Sequence, residues 1–210
     1  MDSSTWLAFV VASSALLIIP GPTVLLVLSY ALSQGRRVAL ATVAGVALGD
    51  LIAMTVSLAG LGAVLIASAT LFTLLKWVGA AYLVYLGVKL VRRASGVQLE
   101  WGENPASVSS CRICGHAAAV TALNPKSIVF FIAFVPQFVS SSQPVLPQFL
   151  ILTATFVSLA MLNALAYAML ADRLRRKITK PTVLPLLSRV GGGALILMGA
   201  FTLTLRRGSS

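Results

Sequence analysis

The sequence contains few charged residues, and acids are the rarest of them. Of its 210 residues 10% are charged, and five are Asp or Glu, two are cysteine and one is histidine. A soluble domain usually carries about 25% charged residues, so this composition excludes an ordinary soluble protein. The chain is instead 58% hydrophobic, with a mean hydropathy of +0.96, which predicts an integral membrane protein.

Long apolar runs set the predicted architecture. A helix needs about 20 apolar residues to cross the hydrocarbon core, and such runs occur six times in this chain. We predict an all-α integral membrane protein in which residues 1–210 form a single transmembrane domain. Its six predicted spans are Thr5–Leu32, Val38–Ala67, Leu71–Val91, Ala117–Val139, Leu146–Leu170 and Leu184–Leu205. Since no basic region or cleavage site precedes the first span, we expect it to be retained and not removed as a signal peptide.

The basic residues predict an orientation in the membrane. In a soluble protein a net charge of +11 would suggest a nucleic-acid partner, but here the basic residues lie between spans, and we predict none. The loops after spans 1, 3 and 5 contain Arg36, Arg37, Arg92, Arg93, Arg112, Arg173, Arg175, Arg176, Lys177 and Lys180. The loops after spans 2 and 4 contain no basic residue. The positive-inside rule therefore places the odd loops in the cytoplasm and the N-terminus outside, although Arg206 and Arg207 in the tail argue against this.

The two halves of the chain resemble each other. Pro22 and Gln34 are followed 103 residues later by Pro125 and Gln137. In the same way "LLKWVGAAYLVYLG" (74–87) resembles "LLSRVGGGALILMG" (186–199). Because each half has three spans, the second half must enter the membrane in the opposite sense, which predicts a 3+3 inverted repeat. Repeat 1 covers about residues 5–92, a cytoplasmic loop about 93–115, and repeat 2 about 116–206.

Proline interrupts the first span of each predicted repeat. The sequence "LLIIPGPTVLLVL" (16–28) breaks span 1, and "LNPKS" (123–127) breaks span 4. Proline inside a helix removes a hydrogen bond and frees the carbonyl four residues earlier. A freed carbonyl suits an ammonium group. The carbonyls predicted to be free are those of Leu16, Ile18 and Thr121.

A new half-helix begins after each break, near Val24 and Ser127. The amino end of a helix carries about half a positive charge and binds carboxylates. Carbonyls and amides together match the zwitterion of an α-amino acid, so both breaks are predicted to contribute to binding. The residues concerned are Pro20, Gly21, Pro22, Thr23, Asn124 and Pro125. The alternative is that the prolines only kink the helices for packing, which membrane helices tolerate.

Three polar side chains inside spans complete the candidate site. A charge at bilayer depth costs roughly 2.5 kcal/mol or more, so Asp50 and Lys126 are expected to face a partner or a water-filled path. Asp50 is predicted to neutralise a substrate ammonium or to carry the coupling proton, and Lys126 to hold a carboxylate. A structural Asp50–Lys126 ion pair and a Lys126 that extends to the interface are the alternatives. Asn163 is predicted either to line the site or to form a hydrogen bond between two helices.

Two further motifs are weaker candidates. Gly45 and Gly49 are spaced for close helix packing, and we assign them no chemistry. Cys111, Cys114 and His116 form "CRICGH" in the third loop. The chain has no other cysteine or histidine, so a four-ligand zinc site is excluded. Cytoplasmic thiols stay reduced, and we predict neither a metal nor another cofactor.

Four segments together resemble the lysine-exporter (LysE/RhtB) family of bacterial amino-acid exporters. They are "IIPGPTVLLVLSYALSQGRR" (18–37), "GVALGD" (45–50), "LKWVGAAYLVYLG" (75–87) and "TALNPKSIVFFIAFVPQF" (121–138), and the similarity extends from about residue 6 to 205. The resemblance implies a multi-pass protein of the bacterial inner membrane. It implies export of an amino acid, with neutral substrates such as homoserine and threonine ahead of basic ones, driven by a proton gradient or the membrane potential. The resemblance assigns no site residue, and a homo-oligomer stays an open alternative.

Three other functions compete with export. A six-span thiol oxidoreductase needs cysteines within spans 1 and 4, and span 1 has none. A structural or assembly subunit would leave Asp50 and the doubled breaks without a purpose. A channel would need a ring of charges or a carbonyl-lined filter, and no such motif is present in the sequence.

Overall fold

The structure, a computed structural model, describes residues 1–19, 21–34, 36–67, 69–92, 109–140, 142–178, 189–190, 193, 195–198 and 200. Within these residues every regular element is helical. The helices are α1 (Ser3–Ile18), α2 (Pro22–Gln34), α3 (Arg36–Ala67), α4 (Ala69–Arg92), α5 (Ser110–Ala122), α6 (Pro125–Ala133) and α7 (Val145–Ile178), with a 3₁₀ turn at Val135–Phe138. The all-α prediction is confirmed for this part of the chain.

Two helices are long and apolar enough to cross a membrane alone, over Val38–Gly60 in α3 and Val145–Ala171 in α7. Two pairs of consecutive helices are long and apolar enough only when each pair is counted as one span. Helices α1 and α2 are bent by 59° at their break, and α5 and α6 are bent by 47°. The described residues thus contain two to four candidate spans. The predicted third span is helical throughout α4, but its described apolar stretch, Trp77–Lys89, is shorter than a membrane crossing.

The predicted sixth span lies mostly outside the described residues, so the count of six stays a prediction. Pro20, Lys180 and the tail with Arg206 and Arg207 also lie outside the described residues.

The loop boundaries in the sequence analysis were wrong at three places, each time because a helix extends into the predicted loop. Helix α3 begins at Arg36, so Arg36 and Arg37 belong to a helix. Helix α7 continues to Ile178 and includes most of the basic residues predicted for the fifth loop. Basic residues are good helix formers, and those before Ile178 also lie near the negative carboxyl end of α7, where the helix dipole favours them. A membrane helix can therefore continue beyond its apolar part.

The third correction concerns the cysteine motif. Helix α5 begins at Ser110, so Cys111, Arg112 and Cys114 lie on its first turns and not in the loop predicted to reach residue 115. The hydroxyl of Ser109 accepts a hydrogen bond of 3.4 Å from the Arg112 backbone N–H. Serine at this position is a strong helix start signal, which the polar composition of the preceding loop obscured.

Glycine permits close contact between α3 and α5. A Cβ added to Gly49 would lie 2.6 Å from both the Ala118 carbonyl oxygen and the Thr121 Cβ, and one added to Gly45 would overlap the Cys114 carbonyl oxygen. No real Cβ approaches other atoms this closely, so the two helices touch through their backbones. The predicted packing role of this glycine pair is confirmed.

Aromatic side chains pack against one another where α1, α6 and α7 and the 3₁₀ turn meet. Phe131 and Phe156 meet edge to face with ring centroids 4.8 Å apart, and Phe130 and Phe134 stack at 5.1 Å. Phe9 on α1 contacts Phe138 at 5.3 Å. These rings connect α6 to α7 and the 3₁₀ turn to α1.

Candidate functional site

The candidate site is built around the carboxyl end of α1. The helix ends at Ile18, where the Ile19 N–H donates to the Leu16 carbonyl at 3.3 Å, and the chain resumes as α2 at Pro22. The last four carbonyls of a helix have no partner within the helix itself. In a membrane interior no bulk water can satisfy them, so other groups must do so.

Side chains of α6 and α7 satisfy four consecutive carbonyls at this helix end. The Lys126 ammonium donates to the carbonyl oxygens of Leu16 and Ile19, at 3.0 Å each. The other two donors are one helical turn apart on α7. The Asn163 amide donates to the Leu17 carbonyl at 3.1 Å, and the Tyr167 hydroxyl to the Ile18 carbonyl at 3.0 Å.

The carbonyls predicted to be free at this break are therefore occupied in this conformation. Lys126 also places a positive charge at the negative end of the α1 dipole, which is the favourable arrangement. Its stem lies against the unwound segment, since a Cβ added to Gly21 would be 3.4 Å from Nζ.

The second break has a different local structure. The side chain of Asn124 accepts a hydrogen bond of 3.1 Å from the Lys126 backbone N–H, and Pro125 stands at the first position of α6. This is a regular helix start with a side-chain cap. The Thr121 carbonyl, predicted to be free, accepts the Asn124 backbone N–H at 3.1 Å. The prediction that this carbonyl is free was wrong, because a tight turn before the proline brings the Asn124 N–H to it.

Hydrogen bonds join the two breaks. The Asn124 amide donates to the hydroxyl of Thr23 at 3.2 Å, and the Thr121 hydroxyl lies 3.4 Å from the same oxygen. Thr23 is on the first turn of α2, whereas Thr121 is in the last turn of α5 and Asn124 precedes α6. The two interrupted segments, about 100 residues apart in sequence, are therefore in direct contact.

A small cavity lies where these elements meet. It measures about 30 Å³, which is room for about two water molecules. Helices α1, α2, α3, α6 and α7 and both breaks contribute to its wall, which consists of Leu16, Leu17, Gly21, Thr23, Val24, Val27, Val46, Asp50, Asn124, Lys126, Ser127, Ala160, Asn163 and Ala164. An acid, a base, two amides and two hydroxyls thus converge on one space inside an otherwise apolar assembly.

Asp50 is the acidic group of this wall. It lies on α3 and is 2% exposed. Asp50 and Lys126 attract each other electrostatically, while the ammonium donates its hydrogen bonds to the α1 carbonyls. Burial of a carboxylate is costly, so this position is favourable only with a cation or a proton nearby.

The structure brings most of the predicted site residues together. Six of them line the cavity: Gly21, Thr23, Asp50, Asn124, Lys126 and Asn163. Pro22 and Pro125 begin α2 and α6, where they end the preceding helical hydrogen bonding without facing the cavity. Pro20 lies outside the described residues. Lys126 does not extend to an interface, because its ammonium is held at the end of α1.

Sequence reasoning missed two polar residues of this region. Tyr167 follows Asn163 by four residues and shares its helix face, which was the signal available in the sequence. Ser127 is 5% exposed and lines the cavity beside Lys126. It was considered only for its backbone amide.

The cysteine motif lies apart from the cavity. Cys111 is exposed and Cys114 half-buried on α5, and neither lines the cavity. The His116 ring accepts or donates a 2.8 Å hydrogen bond with the Tyr30 hydroxyl. No group of metal-ligating side chains occurs in the part of the chain that is described. Thiol chemistry therefore has no connection to the helix breaks.

Comparison with known proteins gives a match along nearly the whole chain. The family model described as "LysE type translocator" matches residues 14–206. The homoserine/homoserine lactone efflux protein of Salmonella typhimurium is 34% identical over 206 residues, covering 98% of this chain and 99% of that protein. An uncharacterized membrane protein of Vibrio cholerae is 31% identical over the same length, covering 98% and 100%.

The leucine efflux protein of Klebsiella pneumoniae is more distant. It is 27% identical over 134 residues, which cover 64% of this chain and 63% of that protein. No solved structure matches.

Proposed function

The chain belongs to the family of LysE type translocators, and from this premise we propose that it exports amino acids across the bacterial inner membrane. The proposed substrates are small neutral amino acids of the homoserine and threonine type. The Salmonella relative is named for homoserine and homoserine lactone efflux and the Klebsiella relative for leucine efflux. Homoserine and leucine are both neutral amino acids. The proposed driving force is a proton gradient or the membrane potential.

One observation carries this proposal: an acid and a base from opposite halves of the chain line the same cavity as two interrupted helices. Asp50 and the carbonyl oxygens at the end of α1 offer negative partners for an ammonium, and the amino end of α6 offers donors for a carboxylate. A zwitterion needs both. An apolar solute needs neither, and a purely structural subunit would not benefit from a buried acid beside a cavity.

The packing of the helices supports the inverted repeat that this mechanism uses. Helix α3 packs against α5 and α6, the two parts of the second bent pair, and α7 packs against α1 and α2, the two parts of the first. Exchanging the two halves of the chain converts one set of contacts into the other. We propose six spans on this basis, with the third at α4 and the sixth within 184–205, and the odd loops in the cytoplasm.

The size of the cavity indicates how transport proceeds. A space for about two waters is too small for any amino acid, so the helices must separate to admit one. The hydrogen bonds that connect α1 to α6 and α7 are the contacts such a movement would break. In the proposed cycle, one half of the repeat moves against the other around a fixed central site.

A survey of metabolites in the medium tests this function. Cells that express the chain should release more of one or a few neutral amino acids, contain less of them, and tolerate their toxic analogues. Asp50→Asn should abolish the release while the membrane retains equal amounts of protein. Asp2→Asn, at an acid outside the cavity, is the matched control and should export normally. Media that do not differ between expressing and non-expressing cells would refute amino-acid export.

A further inference from the structure

Lys126 lies where a substrate ammonium would be expected to bind. Its ammonium bonds to two carbonyl oxygens at the end of α1, and its stem crosses Gly21 in the unwound segment. An α-amino acid carries the same chemical group, with the same preference for carbonyl oxygens at the negative end of a helix. Both cations cannot occupy these two oxygens at once.

Asp50 provides a second place for a cation in the same cavity. Its carboxylate is buried, lines the same wall as Lys126, and attracts the Lys126 ammonium electrostatically. A lysine side chain has four rotatable carbons and can change its partners without moving the backbone. The cavity thus offers two anionic positions, the α1 carbonyls and Asp50, to one resident cation.

We propose that Lys126 acts as an internal substitute for the substrate ammonium. In this conformation it occupies the ammonium subsite formed by the Leu16 and Ile19 carbonyls, and an arriving amino acid displaces it toward Asp50. This inference rests on the proposed export function and specifies how that site recognises its substrate. Lys126 is then a positioning residue that competes with the substrate, and not the residue that holds the substrate carboxylate.

The competition has a measurable consequence. If Lys126 occupies the subsite about nine-tenths of the time, it weakens the apparent affinity for substrate about tenfold. Removing the lysine ammonium should therefore tighten binding. A lysine that contacts the substrate carboxylate would have the opposite effect, since its removal would cost affinity. The sign of the change separates the two roles.

The return of Lys126 to the ammonium subsite also supports net export. After an amino acid leaves, Lys126 returns to the α1 carbonyls and reconnects α1 to α6, so the empty transporter can change its orientation with these oxygens satisfied. Without Lys126 only the loaded transporter satisfies the Ile19 carbonyl, while the Leu16 carbonyl keeps the Ile19 N–H as a donor. Exchange of internal for external amino acid should then continue, whereas net export should slow.

The experiment compares wild type with Lys126→Met, which keeps the length of the apolar stem and removes the charge. Binding of labelled homoserine and leucine is measured by equilibrium dialysis in detergent, and exchange and net efflux are measured in proteoliposomes. Lys89→Met removes the same charge from an exposed position on α4 and should match wild type. If the Met variant does not reach the membrane, Lys126→Gln replaces it.

The proposal expects about tenfold tighter binding by Lys126→Met, with exchange retained and net efflux slowed. Unchanged or weaker binding by the variant, while wild type binds normally, overturns the proposal and leaves the export function intact. If neither protein binds any neutral amino acid, both the export function and this inference are refuted. An equal loss of exchange and net efflux in the variant also counts against it.

Discussion

The Asn124 amide donates a hydrogen bond of 3.2 Å to the Thr23 hydroxyl, and this bond connects the two interrupted segments of the chain. Asn124 also caps α6 through the Lys126 backbone N–H. A single side chain therefore starts one half-helix and holds the other against it. Because Lys126 is the second residue of α6, this cap also determines where the lysine stem begins. The cavity depends on this contact for its shape.

The two roles of Asn124 can be separated by mutation. Asn124→Ala removes both the cap and the contact with Thr23, and should cost about 1–2 kcal/mol of stability together with efflux. Asn124→Ser retains a capping oxygen but is too short to reach Thr23. We expect near-normal thermal stability and reduced efflux for the serine variant. Normal efflux by this variant would show that the contact between the breaks is dispensable.

The Tyr167 hydroxyl should matter more for transport than for stability. Tyr167→Phe leaves the Ile18 carbonyl without its side-chain donor, and single hydrogen bonds between membrane helices contribute about 0.6 kcal/mol on average. The fold should therefore persist, while the contact between α1 and α7 weakens and the efflux rate changes. Tyr85→Phe, at an exposed position on α4, is the control. A rate equal to that of wild type would contradict a role for Tyr167 in the movement of α1.

Gly49 should not tolerate even one added methyl group. Gly49→Ala would place a Cβ 2.6 Å from the Ala118 carbonyl oxygen and the Thr121 Cβ, so α3 and α5 must separate. Overpacking of this kind costs about 1–3 kcal/mol. Gly60→Ala, where an added Cβ meets nothing within 4 Å, should be neutral or stabilising by up to about 1 kcal/mol. Melting temperatures of the two variants in detergent test this difference, and equal values would disprove the close packing.

The orientation can be tested with alkaline phosphatase fusions, which are active only outside the cytoplasm. A fusion after Ser140 should be active, and a fusion within residues 93–108 should be inactive. The tail beyond residue 205 should give an active fusion if the number of spans is even. An inactive tail fusion would instead agree with Arg206 and Arg207 and would require an odd number of spans.

Several features of the fold follow from the sequence alone. The helices at 38–67 and 146–170 were predicted to within a few residues at their apolar ends, because apolar runs of membrane length have few alternative structures. Helix ends that leave the bilayer were predicted less well. Basic residues near Arg36 and before Ile178 continue their helices, and charge by itself does not distinguish a loop from a solvated helix.

The sequence predicted which residues form the candidate site, but not which hydrogen bonds they make. A charge or a proline break in an apolar span is conspicuous in a sequence, since the cost of burial requires an explanation. The sequence does not indicate which donor meets which carbonyl. Lys126 was expected to meet Asp50 or a carboxylate, whereas its ammonium bonds to the end of α1. Tyr167 was not predicted, although it follows Asn163 by four residues and shares its helix face.

Hydropathy and residue type alone indicate that this chain crosses a membrane, that proline interrupts two of its helices, and that an acid and a base lie within apolar stretches. These properties are local, since hydropathy and the missing proline N–H act on neighbouring residues whatever the rest of the chain does. The packing of the helices was needed to show that the interruptions touch, that glycines bring α3 against α5, and that Lys126 donates to the carbonyls at the end of α1. Those pairings depend on the distances between helices far apart in sequence, and packing alone sets such distances.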